Sequence, residues 1–303
     1  EVGHTLGYMQ NMAASAAIPV DSLRSPSFTQ KYGTTYSIMD YARNNYVAQP
    51  GDAEKGVSMT PPYLGLYDYY AVKWLYTPLL DAKTAEEEVP VLDKWITEKS
   101  GDPVYRYGKQ QIYYRWDPSS LEEDLSDDAV QAAAYGVSNL KYLLKHLNEW
   151  VGAEDKDYRF RETIYNESIY QYVRYLNHVL MNIGGIYLNE RYANDVRPSY
   201  VPVEREKQKR ALKFLLEQIK DLEWLNNPEL LEGFQLRSDI TLNLEDMIFQ
   251  SLVRSMSHVL ICGNKAKEDP YTLTEFVNDI YDFVMAPTKK GKSLSELEKK
   301  LQM

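Results

Sequence analysis

Between Val130 and Val151, apolar side chains recur every three or four positions: Val130, Ala133, Ala134, Val137, Leu140, Leu144, Leu147 and Val151. That spacing lays one apolar stripe along an α-helix, and such a stripe must be buried against other elements. Asp127 and Asp128 stand where this helix begins, where the helix dipole favours negative charge. The same spacing predicts a long helix over 161–192, bent at the Gly184-Gly185 pair, and a third carrying Leu212, Leu215, Leu216, Ile219 and Leu222. A fourth carries Leu244, Ile248, Leu252, Val253, Met256, Val259 and Leu260, and a fifth runs from near Thr274 to before Pro287. Ser293 to Glu296 either caps a last short helix or frays. The first hundred or so residues are richer in Pro, Gly, Ser and Tyr, show no sustained period-two alternation, and offer one short candidate strand at 111–116. The expected fold is therefore mainly α, with a first domain over 1–117 and a helical, bundle-like domain over 118–303.

With 303 residues, 44% hydrophobic and 26% charged, the chain can bury a sizeable core, and disordered, collagen-like and disulfide-scaffold classes are excluded. No apolar run approaches the roughly 18 residues of a membrane span. The most suggestive stretch, 179–186, is broken by Asn182, Gly184 and Gly185. A net charge of −10 argues against a general nucleic-acid partner, because phosphate backbones select clustered positive charge. A single cysteine, Cys262, leaves no internal disulfide and fits either a reducing compartment or an envelope protein without bridges. Tyrosine, at 26 residues, is in excess, and its ring with a polar tip suits wet interfaces and clefts.

The first residues read Glu1-Val2-Gly3-His4-Thr5-Leu6-Gly7-Tyr8-Met9-Gln10-Asn11. They carry neither a Met start nor the basic and apolar regions of a signal peptide, and are expected to be a cut made inside a longer protein. With a histidine before Glu1, this stretch resembles the zinc motif H-E-x-x-H-x-x-G-x-x-H of the metzincin metallopeptidases. Two histidines four apart project from one helix face onto one Zn²⁺, the glutamate between them reaches the attacking water, and the glycine turns the chain to bring a third ligand round. Thirty-five residues beyond His4, Ser37-Ile38-Met39-Asp40-Tyr41 is similar to the Met-turn that places a methionine beneath the metal. The runs from Pro19 to Gly33 and from Asp40 to Pro50 resemble the large bacterial peptidases called Met-zincins, which are secreted or envelope proteins with a helical C-terminal part.

The resemblance implies the lower, C-terminal metzincin subdomain with its Met-turn, followed by helices. It implies zinc as cofactor, a peptide or protein substrate and a secreted, periplasmic or outer-envelope location. Glu1 would be the general base, Tyr41 the oxyanion donor, His4 and Gln10 would occupy ligand positions, and Met39 would be the floor. Gln10 departs from the motif, because an amide is a weak zinc ligand beside an imidazole. This chain alone is therefore expected to be inactive, within either an active peptidase or a pseudo-peptidase that binds peptides through a retained cleft. His146, His178 and His258 fall in helical patterns and are read as structural. Cys262 is read as a small buried hydrophobe, and the acidic runs 86–88 and 122–124 as solvated faces or helix starts. Tyr63, Tyr67, Tyr69, Tyr70 and Tyr76 are read as packing residues, with a peptide cleft as the alternative.

Overall fold

A computed structural model describes residues 1–61, 63–191 and 195–303. The chain is mainly α and divides into two units, one of 1–136 and 187–201, the other of 137–186 and 202–303.

In the first unit, α1 (Val2–Thr5) is one turn long, and α2 (Pro26–Tyr32) starts with Ser25 accepting from Phe28 N and with proline in its first turn. Next come α3 (Leu66–Tyr76) and α4 (Ala85–Lys99), joined where the Lys73 ammonium lies 4.4 Å from the Trp95 ring centre. Long loops thread between these elements over a core of Ala14, Ile18, Leu23, Tyr36, Ala42, Val47, Leu125 and Ala132. Residues 111–116 form no strand. Tyr113 and Tyr114 face solvent, and the Gln111 amide closes the loop on itself. Its Nε2 donates to the Asp117 and Ser120 carbonyls and its Oε1 accepts from Trp116 N and Asp117 N. The apolar alternation lacked a partner strand, so a side chain satisfies the backbone instead. Asp124 is also buried, where a solvated acidic run was expected.

α5 (Ala129–Val151) follows the predicted stripe, with Asp128 Oδ1 accepting from Gln131 N at its start. In the second unit, α6 (Arg159–Leu180) stops before the Gly-Gly pair. Gly184 takes φ +71° with its Cα against the His258 backbone, so the pair ends the helix where a bend was expected. Tyr187, expected on that helix, instead lies in β1 (Ile186–Leu188), which pairs with β2 (Tyr200–Pro202); Tyr192 falls outside the described residues. α7 (Arg205–Ile219) and the single turn α8 (Pro228–Leu231) follow. The predicted fourth helix is two, α9 (Ile240–Arg254) and α10 (Met256–Lys265). At the break, Ser255 Oγ bonds back to the Ser251 carbonyl and Ser251 Oγ to that of Met247, competing with the helical ladder.

α11 (Leu273–Lys289) begins in a capping box of Thr272 and Glu275 and runs through Pro287 into its last turn, and α12 (Glu296–Gln302) is capped in the same way by Ser295 and Glu298. α7 packs on α6, α9 and α11, burying Tyr165, Tyr172, Leu212, Leu215, Ile248 and Phe276. Cys262 is buried, its thiol donating to the Gly185 carbonyl at 3.2 Å. Among the described residues no helix is long and apolar enough to cross a membrane.

Candidate functional site

Gly3 and His4 share the single turn of α1, and the chain reverses at Gly7, whose φ of +87° suits glycine. The reversal is held by Tyr8 N donating to the Gly3 carbonyl at 3.0 Å and by the Tyr76 hydroxyl, from α3, donating to the Leu6 carbonyl at 2.6 Å. His4 Nδ1 lies 2.9 Å from the Tyr8 carbonyl oxygen, so that nitrogen carries the proton and Nε2 is left as an acceptor. Gln10 Nε2 meets it at 3.0 Å and donates its other hydrogen to the Tyr41 hydroxyl at 3.3 Å. Three residues drawn from a helix turn, a loop and a distant turn thus converge in one exposed hydrogen-bonded row.

Met39 is buried with its thioether against Gly3; a Cβ at Gly3 would run into Met39 Sδ and come within 3.1 Å of Cε. The turn carrying Met39 is braced on two sides. Asp68, buried in the first turn of α3, accepts from Ser37 Oγ at 2.7 Å, Ile38 N at 2.9 Å and Gly65 N at 2.7 Å, and Ser37 Oγ in turn accepts from Met39 N. On the other side Asp40 Oδ2 accepts from Ser15 N at 2.8 Å and Thr35 Oγ1 at 3.2 Å. Burial pushes the Asp40 carboxyl up to about 7, against the pull of those hydrogen bonds, and raises the buried Asp124, which also feels the Asp40 charge. Asn11 N donates to the Met39 carbonyl at 3.1 Å, while its side chain accepts from Gly108 N and donates to the Arg106 carbonyl.

Glu1 stands exposed at the N-cap of α1, outside the row joining His4, Gln10 and Tyr41. Asp68, Asp40 and Asn11 were not singled out from the sequence; the one available signal was an acidic residue three places after Gly65 in a helix's first turn. Of the other histidines, His146 pairs with Glu149 at 3.2 Å and stacks on Trp150, His178 is buried, and burial lowers the His258 pKa. Tyr63 and Tyr69 are exposed, whereas Tyr67 and Tyr70 pack edge to face.

A mainly helical chain with a histidine turn seated on a buried methionine turn falls in the metzincin-like class. The chain belongs to the Met-zincin family, whose sequence profile matches residues 1–292. No curated protein and no solved structure matches it.

The family implies zinc. The donors present do not by themselves fit the ion: among the described residues no three of His, Cys, Asp and Glu converge. The row offers one imidazole whose free lone pair already accepts from the Gln10 amide.

Proposed function

We propose that this chain carries the helix turn and Met-turn of a zinc-dependent peptidase whose first histidine immediately precedes Glu1 in a longer protein. The observation that supports it is the convergence of His4, Gln10 and Tyr41, from positions that the motif separates by up to 37 residues, with Met39 packed on the neighbouring Gly3. A residue just before Glu1 lies four places from His4, on the same face of a continued helix. In that setting Glu1 takes the proton of the attacking water and the Tyr41 hydroxyl donates to the oxyanion of the tetrahedral intermediate. By resemblance the substrate is a peptide or protein and the location the bacterial envelope or the medium.

A second reading is favoured by the Gln10 amide, which occupies the lone pair His4 would give to a metal. In it the protein is a pseudo-peptidase that retains the cleft to bind peptides. Metal analysis and calorimetry on a chain extended upstream through the preceding subdomain separate the two. Stoichiometric zinc at submicromolar affinity, lost on His4→Ala, upholds the peptidase. No zinc in that protein removes it and leaves the binding role.

A further inference from the structure

Beyond the row of His4 and Gln10, the first unit contains a cavity of about 660 Å³, within the size range of small-ligand sites. One wall is the loop Gly7-Tyr8-Met9, and the others come from α3, the end of α4, residues 105–107, residues 189–191 and Arg197. Its surface is aromatic: Tyr67, Tyr70 and Tyr105 meet edge to face, and Trp74 and Tyr107 stand with them.

One feature sets this cavity apart from a packing defect: its charges do not cancel. Arg106 is spent on Asp117, Arg197 on Asp195, and Glu190 on Lys109. Lys99 is half-buried with its ammonium 4.2 Å from the Tyr105 ring centre, Arg191 bonds a backbone carbonyl, and neither pairs with a carboxylate among the described residues. Against them stands Asp102, which accepts from Val104 N. A chain of net charge −10 thus presents an excess of positive charge in one aromatic pocket.

We propose that this pocket binds a peptide through a carboxylate beside an apolar or aromatic group, with Lys99 and Arg191 taking the charge. The aromatic walls cover the apolar body, and the free C-terminus or an acidic side chain supplies the carboxylate. The inference rests on the proposed peptide-binding role for its ligand class, although binding here requires no metal. Tyr8 connects the two places, since its carbonyl orients His4 and its ring lines the pocket.

Calorimetry on the metal-free protein with acetyl-Tyr-Phe, its C-terminal amide and acetyl-Tyr-Glu-amide tests this. The free acid binds and the Phe amide binds at least tenfold more weakly; equal binding of the Glu amide shows that a side-chain carboxylate serves as well as a C-terminus, and its failure assigns the site to the C-terminus. Lys99→Met keeps the aliphatic stem and weakens the acid about tenfold, as does Arg191→Met, with circular dichroism confirming the fold. Binding that ignores the carboxylate, or that ignores both substitutions, overturns the proposal, as does absence of binding by all three probes. Failure to bind zinc in the extended chain leaves this result standing, and loss of peptide binding leaves the zinc result standing, so each reading falls alone.

Discussion

Asp40→Asn isolates the energetic cost of placing a carboxyl under the Met-turn. Asp40 is buried and its carboxyl is pushed up to about 7 from the ordinary 3.8. The native state therefore holds a proton that the unfolded chain releases, so the stability this group contributes is full below the unfolded value and is lost as pH rises towards 7. A rise from 3.8 to about 7 corresponds to about 4 kcal/mol in all, of which roughly 2–3 kcal/mol falls between pH 5 and pH 8. Asparagine has the same shape, and its carbonyl oxygen can accept from Ser15 N and Thr35 Oγ1 as Oδ2 does now, yet it does not titrate. Urea denaturation, followed through Trp74, Trp95 and Trp116 with Trp150 and Trp224 changed to Phe, reports on the unit that holds the turn. The Asp40→Asn variant should gain about 2–3 kcal/mol on the parent in going from pH 5 to pH 8. Parallel stability curves for the two proteins across that range would refute the reasoning, because they would mean the carboxyl ionises in the folded chain as freely as in the unfolded one.

Three further outcomes are expected. Gly3→Ala drives a methyl group into the Met39 thioether and should cost about 1–3 kcal/mol by thermal denaturation; combining it with Met39→Ala should recover part of that loss, and strict additivity would show that the two residues do not touch. Asp68→Ala removes the acceptor of three donors around the Met-turn and should cost roughly 3–4 kcal/mol in the first unit, checked by the same urea titration. In the extended chain, Gln10→His replaces an amide with an imidazole and should tighten zinc by at least tenfold in calorimetry; unchanged affinity would place residue 10 outside the ligand set.

The motif was legible because its chemistry is local. Gly3, His4, Gly7 and Gln10 lie within ten residues, and a helix turn followed by a glycine reversal is a statement about short-range backbone geometry. The stripe of α5 was legible for the same reason, since a period of 3.6 shows in any sufficiently long window. Helix ends were less so: the single long helix expected to pass Gly184 stops at Leu180, because Gly184 must fit against the backbone of His258, 74 residues on.

What the sequence alone determined is a mainly helical chain with a histidine turn and a methionine turn in metzincin order. What only the tertiary structure decided is how those turns are held: Asp68 reaching back 31 residues to Ser37, Asn11 bridging 97 residues to Gly108, and Asp40 confined in a pocket where Asp124 feels its charge. The same holds for the proposed carboxylate cavity, whose excess of positive charge appears only when Arg106, Arg197 and Glu190 are seen to be paired and Lys99 and Arg191 to meet no carboxylate among the described residues. Periodicity and capping are properties of neighbouring residues and survive in one dimension. Burial of a charge, satisfaction of a donor and cancellation of an ion depend on which distant groups the folded chain brings within about 3 Å, and a linear pattern carries no record of that distance.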